Sequence, residues 1–273
     1  MNHTNAASVC EPAARLGRRS SLERAHSLLT AFGYRKRRMT LSELSRRTGT
    51  PLTTTHRLVS DLVALGMLER DHDGVLSIGV ELWRIGLLAP RTQGVQRIAL
   101  PFMQDVYATT GMPVHLGVPE GSEVLFVESL RQTKALDAEE KPQIGARYLM
   151  HETAVGLAIL AHEPRETQEA YIARVSDGGH EIAKGLRRDL AQVRSVGHAV
   201  STWRSAPSVS IGAPILDDYD QPLGAVSIII SGEQQRAPYG HLITATARSI
   251  QRIAREQGVL RETSSGYRNP LSE

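Results

Sequence analysis

The sequence is poor in cysteine and in aromatic residues. Its single cysteine, Cys10, excludes an internal disulfide and any multi-cysteine zinc or iron–sulfur site. Aromatic residues make up only 4% of the chain, so Leu, Val, Ile and Ala must fill any core. A hydrophobic content of 41% is enough for such a core and argues against a disordered chain. The length of 273 residues predicts one large domain or two modest ones.

Long apolar runs are also lacking. No stretch approaches the ~18 residues that would span a bilayer. Residues 1–10 have neither the charged start nor the apolar core of a secretion signal. We therefore expect a soluble, cytoplasmic protein without a membrane partner, and the scarcity of cysteine agrees with a reducing compartment.

The common motifs of catalysis are absent as well. His151-Glu152 and His162-Glu163 are not followed by a second histidine one helical turn later, so neither is a zinc-binding His-Glu-x-x-His. The sequence has no Gly-x-Ser-x-Gly, no phosphate-binding loop and no Gly-x-Gly-x-x-Gly. We expect no enzyme activity, no metal and no cofactor, and the alternative is an enzyme built on the carboxy-terminal half.

Positive charge is concentrated near the amino terminus. Between Arg18 and Arg57 lie ten lysine or arginine residues and two carboxylates, whereas from Leu58 onward 21 basic residues accompany 26 acidic ones. The overall charge of +3 hides this asymmetry. A basic segment at one end predicts contact with a polyanion, and the alternative is a solvated basic surface.

Two capping boxes predict helices in this basic segment. Ser20 is spaced to cap one helix with Glu23, and Thr40 is spaced to cap the next with Glu43. The first helix is predicted to end at Gly33 and to bury Leu22, Ala25, Leu28, Leu29 and Phe32. After a turn at residues 48–50, a third helix is predicted with Thr50 as its cap, Pro51 as its first residue, and a buried stripe of Leu58, Val59, Leu62 and Leu65.

A short hairpin is predicted after the third helix. Residues 67–70 and 75–78 flank Asp73-Gly74, a dipeptide typical of hairpin turns. Three helices with a three-residue turn between the second and third, followed by a hairpin, predict a winged helix-turn-helix. The third helix of such a module enters the major groove of DNA.

The start of the third helix provides candidate DNA contacts. Hydroxyl groups and a guanidinium can bond phosphates and base edges, and arginine can pair with guanine through two hydrogen bonds. Basic residues in the second helix and a histidine in the hairpin turn extend this surface. The predicted DNA-binding residues are Arg46, Arg47, Thr53, Thr54, Thr55, His56, Arg57 and His72. The alternative is that the threonines form only a polar helix face.

Beyond the hairpin the pattern is mixed α/β. Residues 81–88 predict a helix that joins the two halves, and Pro90 is expected to break it. Strands are predicted at residues 114–118, 124–128, 209–216 and 223–230, and helices at 154–161, 187–196 and 239–257. Strands enclosed by helices can hold a small ligand.

Several motifs, taken in order, resemble those of the IclR-type (isocitrate lyase regulator) bacterial transcription factors. In the amino-terminal half they are residues 21–25, 40–44, 48–51, 53–58 and 65–68, and the hairpin end 76–79 resembles the family's wing with Leu76 at a usually aromatic position. In the carboxy-terminal half they are residues 110–116, 124–128, 145–147, 151–156, 212–215, 224–227 and 231–232.

The resemblance implies an α+β fold, in which an N-terminal winged helix-turn-helix is joined by a linker helix to an α/β GAF-like effector-binding domain. It implies a DNA-binding domain at residues 20–80, a linker helix region at 81–104 and an effector-binding domain at 105–257, with tails at 1–19 and 258–273. It also implies a transcriptional regulator, expected to act as a repressor, that forms a homodimer or homotetramer. Its expected partners are double-stranded DNA with a palindromic operator and a small-molecule effector.

The resemblance further implies an effector pocket lined from a helix start and from strands. The matching positions here are Ala154, Val155, Ser210 and Ser231. This chain departs from the family pattern at two places: Ser210 replaces the usual cysteine, and the usual acid is missing near Ser201.

Trp203 and Arg204 are candidate replacements for the missing acid. Arginine could bind a carboxylate through two hydrogen bonds, and tryptophan could stack on a ring. The alternative is that both lie on an exposed loop. We expect an organic acid or an aromatic metabolite as effector. A constitutive DNA-binding regulator, whose carboxy-terminal half serves only oligomerisation, is the alternative function.

Overall fold

The chain divides into two units, one ending at Leu88 and the other beginning at Ala89. The computed structural model describes residues 20–33, 36–88, 90–131, 143–177, 179–202, 208–231 and 236–258. The tail expected at residues 1–19 lies outside these ranges, as do Trp203, Arg204 and all but the first residue of the tail expected from 258.

The first unit has three helices, a hairpin and a fourth helix. Its elements are α1 (Ser21–Thr30), α2 (Leu41–Thr48), α3 (Leu52–Ala64), β1 (Leu68–Arg70), β2 (Leu76–Ile78) and α4 (Val80–Gly86). Both predicted capping boxes are confirmed, because each cap side chain accepts a hydrogen bond from the glutamate backbone N–H, and each glutamate carboxylate accepts one from the backbone N–H of the cap residue. Gly49 ends α2 in the left-handed conformation, with φ of 63°. The winged helix-turn-helix is therefore confirmed in element order.

One apolar cluster joins these elements. It comprises Leu28, Ala31, Met39, Leu44, Leu58, Val59, Leu62, Leu68 and Leu76. Two backbone hydrogen bonds between Met39 and Leu76 attach the hairpin to the segment before α2. The predicted burial of Leu22 and Leu65 is wrong, since they are 80% and 61% exposed. Both residues occupy helix ends.

The start of α3 also differs from the sequence prediction. Pro51 is the residue before the helix, with no side-chain cap, and Leu52 is the first helical residue. Thr50 is buried, and its carbonyl oxygen accepts hydrogen bonds from Ser45 and Thr55 side chains. Thr50 therefore contributes its backbone to the turn rather than its hydroxyl to a cap.

The second unit is built on a six-stranded antiparallel sheet. Its strands are β3 (Val114–Glu120), β4 (Glu123–Leu130), β5 (Arg147–Leu149), β6 (Ala199–Thr202), β7 (Ser208–Leu216) and β8 (Pro222–Ser231). They pair in the order β5-β4-β3-β8-β7-β6. The helices are α5 (Pro90–Thr110), α6 (Ala154–Leu160), α7 (Arg165–Ser176), α8 (His180–Val196) and α9 (Ala237–Glu256).

Each face of the sheet has its own apolar cluster. One face packs against α5 and α9, with Val114, Ile211, Ile228 and Ile250 among its members. The other packs against α6, α7 and α8, with Phe126, Val155 and Leu190 among its members. Because strand side chains alternate between faces, neighbouring residues of one strand belong to different layers.

The segment after the hairpin departs from the expected linker. The helix expected at residues 81–88 is α4, which ends at Gly86, before Pro90. Pro90 in turn opens α5, in keeping with the preference for proline at a first helical position. Val95, Ile98 and Met103 lie in the cluster of the second unit. Much of residues 90–104 therefore belongs to the core of the second unit rather than to a linker.

Candidate DNA interface and effector site

α3 presents a polar face to solvent. Thr53, His56 and Arg57 are exposed, and Ser60 extends the same face one helical turn further. Sequence reasoning missed Ser60, although its position seven residues after Thr53 could have identified it. Thr54 is half-buried at the edge of this face.

Thr55 does not belong to the exposed face. Its side chain is fully buried, and its hydroxyl donates to the carbonyl oxygens of Thr50 and Pro51 at 3.2 and 3.1 Å. The prediction that Thr55 contacts DNA is therefore contradicted, because its hydroxyl already bonds the turn between α2 and α3. The helical period places it on the face opposite the candidate contacts.

Charges near α3 divide into paired and available groups. Lys36 donates to Glu43 at 2.7 Å, and Arg57 lies 3.4 Å from Asp61. The hydrogen bond from Lys36, aided by those from Thr40, lowers the pKa of Glu43 to about 2. Among the residues that the structure describes, Arg46 and Arg47 are exposed and form no ion pair. Their guanidinium groups are thus available for an external anion.

The hairpin turn is ordered by an aspartate. One carboxylate oxygen of Asp71 accepts backbone hydrogen bonds from Asp73 at 3.0 Å and Val75 at 2.9 Å, and the other oxygen pairs with Arg38. His72, a predicted DNA contact, projects from this turn with its side chain 89% exposed. The turn therefore holds His72 clear of the core.

In the second unit, the start of α6 lies against the sheet. A Cβ on Gly212 of β7 would approach the carbonyl group of Ala154 to 2.8 Å, and a Cβ on Gly117 of β3 would approach Val155 equally closely. Ala154 and Val155, both predicted to line the pocket, are fully buried. Glycine in these strands allows α6 to reach its place.

Ser210 and Ser231 lie on the sheet face that α6 covers. Ser210 is buried and pairs with Ser201 of β6 and with Ile229 of β8. Ser231 follows Ile229 by two residues and is exposed at the end of β8. The Ser201 hydroxyl donates to the Glu152 carbonyl oxygen at 3.2 Å, which connects β6 to the turn before α6.

The short 3-10 helix Met150–Glu152, which precedes α6, is held by Tyr171 of α7. The backbone N–H of His151 donates to the Tyr171 hydroxyl at 3.1 Å, and the His151 Nδ1 lies 2.7 Å from the same oxygen. Burial raises the pKa of Tyr171 to about 12. Sequence reasoning missed this contact because twenty residues separate its partners.

A row of polar residues crosses the same sheet face. His115 of β3 pairs with Ser129 of β4 on one side and with Ser227 of β8 on the other. His115 and Ser227 are buried, and the His115 ring meets the Phe126 ring edge-on at 6.0 Å between centroids. Sequence reasoning missed this row, whose members come from three separate strands.

Neither a metal site nor a membrane-spanning helix is found within the described parts of the chain. No group of three or more His, Cys, Asp or Glu residues there could hold a metal ion. No helix there is long and apolar enough to cross a membrane.

Comparison with known proteins identifies the family of both units. The model of the IclR helix-turn-helix domain matches residues 21–72, and that of the bacterial transcriptional regulator IclR C-terminal domain matches residues 89–256. The HTH-type transcriptional regulator KipR of Bacillus subtilis is 33% identical over 209 residues, covering 74% of this chain and 82% of KipR. The HTH-type transcriptional repressor AllR of Escherichia coli is 26% identical over 255 residues, covering 88% and 92%.

A solved structure agrees with these sequence matches. An IclR homologue complexed with 4-hydroxybenzoate, from Microbacterium hydrocarbonoxydans, superposes with a TM-score of 0.78 at 28% identity, covering 87% of this chain and all of that one. The named relatives are regulators and repressors, which confirms the expectation of a regulator rather than an enzyme. The chain belongs to the IclR family of bacterial transcriptional regulators and is a DNA-binding regulator of transcription.

Proposed function

We propose that the chain binds a palindromic operator through α3 and that a small organic acid or aromatic metabolite, bound in the second unit, changes this affinity. The observation that carries the DNA contact is the exposed face of Thr53, His56 and Arg57. The third helix of a winged helix-turn-helix contacts base edges in the major groove. Arg46 and Arg47, with His72 in the wing, would bond phosphates and fix the register.

The sheet face under α6 supports the effector part of the proposal. It holds the buried hydroxyl groups of Ser210 and Ser227, and the aromatic ring of Phe126 lies on the same face against His115. A few polar groups among apolar walls are typical of sites for small ligands. The Microbacterium homologue, which is complexed with 4-hydroxybenzoate, provides a precedent in the family.

We further propose that the regulator acts as a homodimer or homotetramer. A two-fold assembly would present two α3 helices to half-sites about one helical turn, or a multiple of it, apart. Val80, Trp83 and Ile85 of α4 are exposed apolar side chains, which supports an interface there. The effector would act by binding one arrangement of the assembly more tightly than another.

Mapping of genomic binding sites followed by titration tests this function. Duplexes recovered with the chain are titrated in fluorescence anisotropy, with and without organic and aromatic acids at millimolar concentration. We expect tight, sequence-selective binding that at least one acid shifts. Selective binding that no acid alters, together with no ligand-induced thermal stabilisation, would instead support a constitutive regulator.

A further inference from the structure

The polar row of the sheet continues to a charged residue at the end of β4. Ser129 pairs with His115, and Arg131 follows Ser129 by two residues, the spacing that keeps extended side chains on one face. His115 is on the α6 face, since its ring contacts Phe126 of that layer. Ser129 and Arg131 therefore belong to the face that the proposed effector would occupy.

Two polar atoms at this end of the row are buried without a hydrogen-bond partner. They are the hydroxyl oxygen of Ser129 and the Nη1 of Arg131, and within the described residues neither is bonded. Burying an unpaired donor is costly, and burying part of a charged group is more costly still. A native fold keeps such groups where something else satisfies them.

We infer that Arg131 and Ser129 hold the carboxylate of the effector. The inference rests on the proposed function and names the ligand class for the same site. A guanidinium offers two parallel N–H donors to a carboxylate, and the serine hydroxyl supplies a third donor nearby. One carboxylate would thus satisfy both buried groups and neutralise the arginine charge.

The remaining neighbours fix the rest of the ligand class. Ser227 and Ser210, further along the same face, offer hydroxyl groups to a second polar end. Ile229, which pairs with Ser210, offers apolar surface there, and the Phe126 ring borders the row where it meets His115. A neutral ligand would leave the guanidinium uncompensated, so we expect a monocarboxylic acid with a short apolar or aromatic body.

Matched pairs of acids and amides test this assignment on the full chain. The probes are benzoate, 4-hydroxybenzoate and pyruvate, each with its neutral amide, titrated calorimetrically. The variants are Arg131→Gln and Arg131→Lys, with Ser129→Ala as a milder change. Arg188→Gln is the control, because Arg188 of α8 has an 80% exposed side chain.

The wild type should bind at least one acid and prefer it to its amide. Arg131→Gln should raise the dissociation constant of that acid by about tenfold or more, whereas the dissociation constant of the amide should stay within about twofold of the wild-type value. Arg131→Lys should recover part of the lost affinity for the acid. Arg188→Gln should change neither. The unfolding temperature without ligand should stay the same or rise in Arg131→Gln, whereas a purely structural arginine would make it fall.

Two results contradict the inference in different ways. Equal binding of an acid by the wild type and Arg131→Gln would overturn the role of Arg131 and leave effector binding intact. No binding of any acid or amide to the wild type at millimolar concentration would contradict the proposed effector function itself, and the assignment with it.

Discussion

Thr55 donates its side-chain hydroxyl to the carbonyl oxygen of Thr50, 3.2 Å away. The hydrogen bond joins the body of α3 to the turn that precedes it, and the Thr55 side chain is fully buried. Neighbouring threonines of this run therefore have different roles. Thr53 lies on the exposed face, whereas Thr55 stabilises the helix start.

Thr55→Val should therefore destabilise the first unit without changing how the folded protein binds DNA. Loss of this hydrogen bond should lower the free energy of unfolding by about 1 kcal/mol, which urea denaturation measures. Thr53→Val, the same change on the exposed face, should alter stability by less than about 0.5 kcal/mol and weaken operator binding. A larger loss of DNA affinity in Thr55→Val than in Thr53→Val would contradict this assignment.

Asp61 should restrain the DNA contact of Arg57. The two side chains are about 60% exposed and 3.4 Å apart, so the carboxylate competes with DNA for the guanidinium. We expect Asp61→Asn to raise operator affinity in anisotropy titrations, and Arg57→Ala to lower it and reduce the salt slope by about one. Arg252→Ala disrupts an ion pair of the same spacing in α9 and should change neither quantity. Unchanged affinity in both Asp61→Asn and Arg57→Ala would place the DNA contact elsewhere.

Gly212→Ala should destabilise the second unit. The new Cβ would lie 2.8 Å from the backbone of Ala154, and only a shift of α6 or β7 could relieve the contact. Overpacking of this kind costs about 1–3 kcal/mol in urea unfolding. Gly185→Ala is the control, since its Cβ meets nothing within 4 Å in the interior of α8 and should stabilise by about 0.5–1 kcal/mol. If the two variants were equally stable, α6 would not be held against β7 as described.

His198 should make the second unit less stable in mild acid. Burial, and to a smaller extent the charge of His241, lowers the pKa of His198 below its usual 6.5. The unfolded chain then binds a proton more readily than the folded one, so stability is present above pH 6.5 and is lost as pH falls through the lowered value. In His198→Gln, the urea midpoint should fall less between pH 7 and pH 5 than it does in the wild type. Parallel pH profiles for wild type and variant would contradict this role.

Local signals were sufficient to predict the order of helices and strands in the first unit. The capping boxes of Ser20 and Thr40 fix two helix starts within a few residues of sequence. The hairpin follows from Asp73-Gly74, and Gly74 does adopt the positive φ that such a turn favours, at 77°. What local signals could not predict is which threonine of a consecutive run lies inward, because that depends on the turn to which each hydroxyl bonds.

The second unit was predicted less completely. Long apolar strands such as β7 and β8 were found, but β5 and β6 have only three and four residues and carry no clear alternation. Pro90 was interpreted only as the end of the preceding helix, and the helix that it opens, α5, was missed. Arg131 and Ser129 were missed because their burial depends on strand pairing, which no short sequence window records.

The exposed face of α3 should bind the operator. The anisotropy isotherm of the full chain on a genomic duplex measures this, comparing the wild type with a variant that carries Thr53→Ala, His56→Ala and Arg57→Ala. These side chains are exposed, so circular dichroism should show an unchanged fold. We expect specific affinity to fall by about a hundredfold or more in the triple variant. An isotherm that coincides with that of the wild type would contradict it.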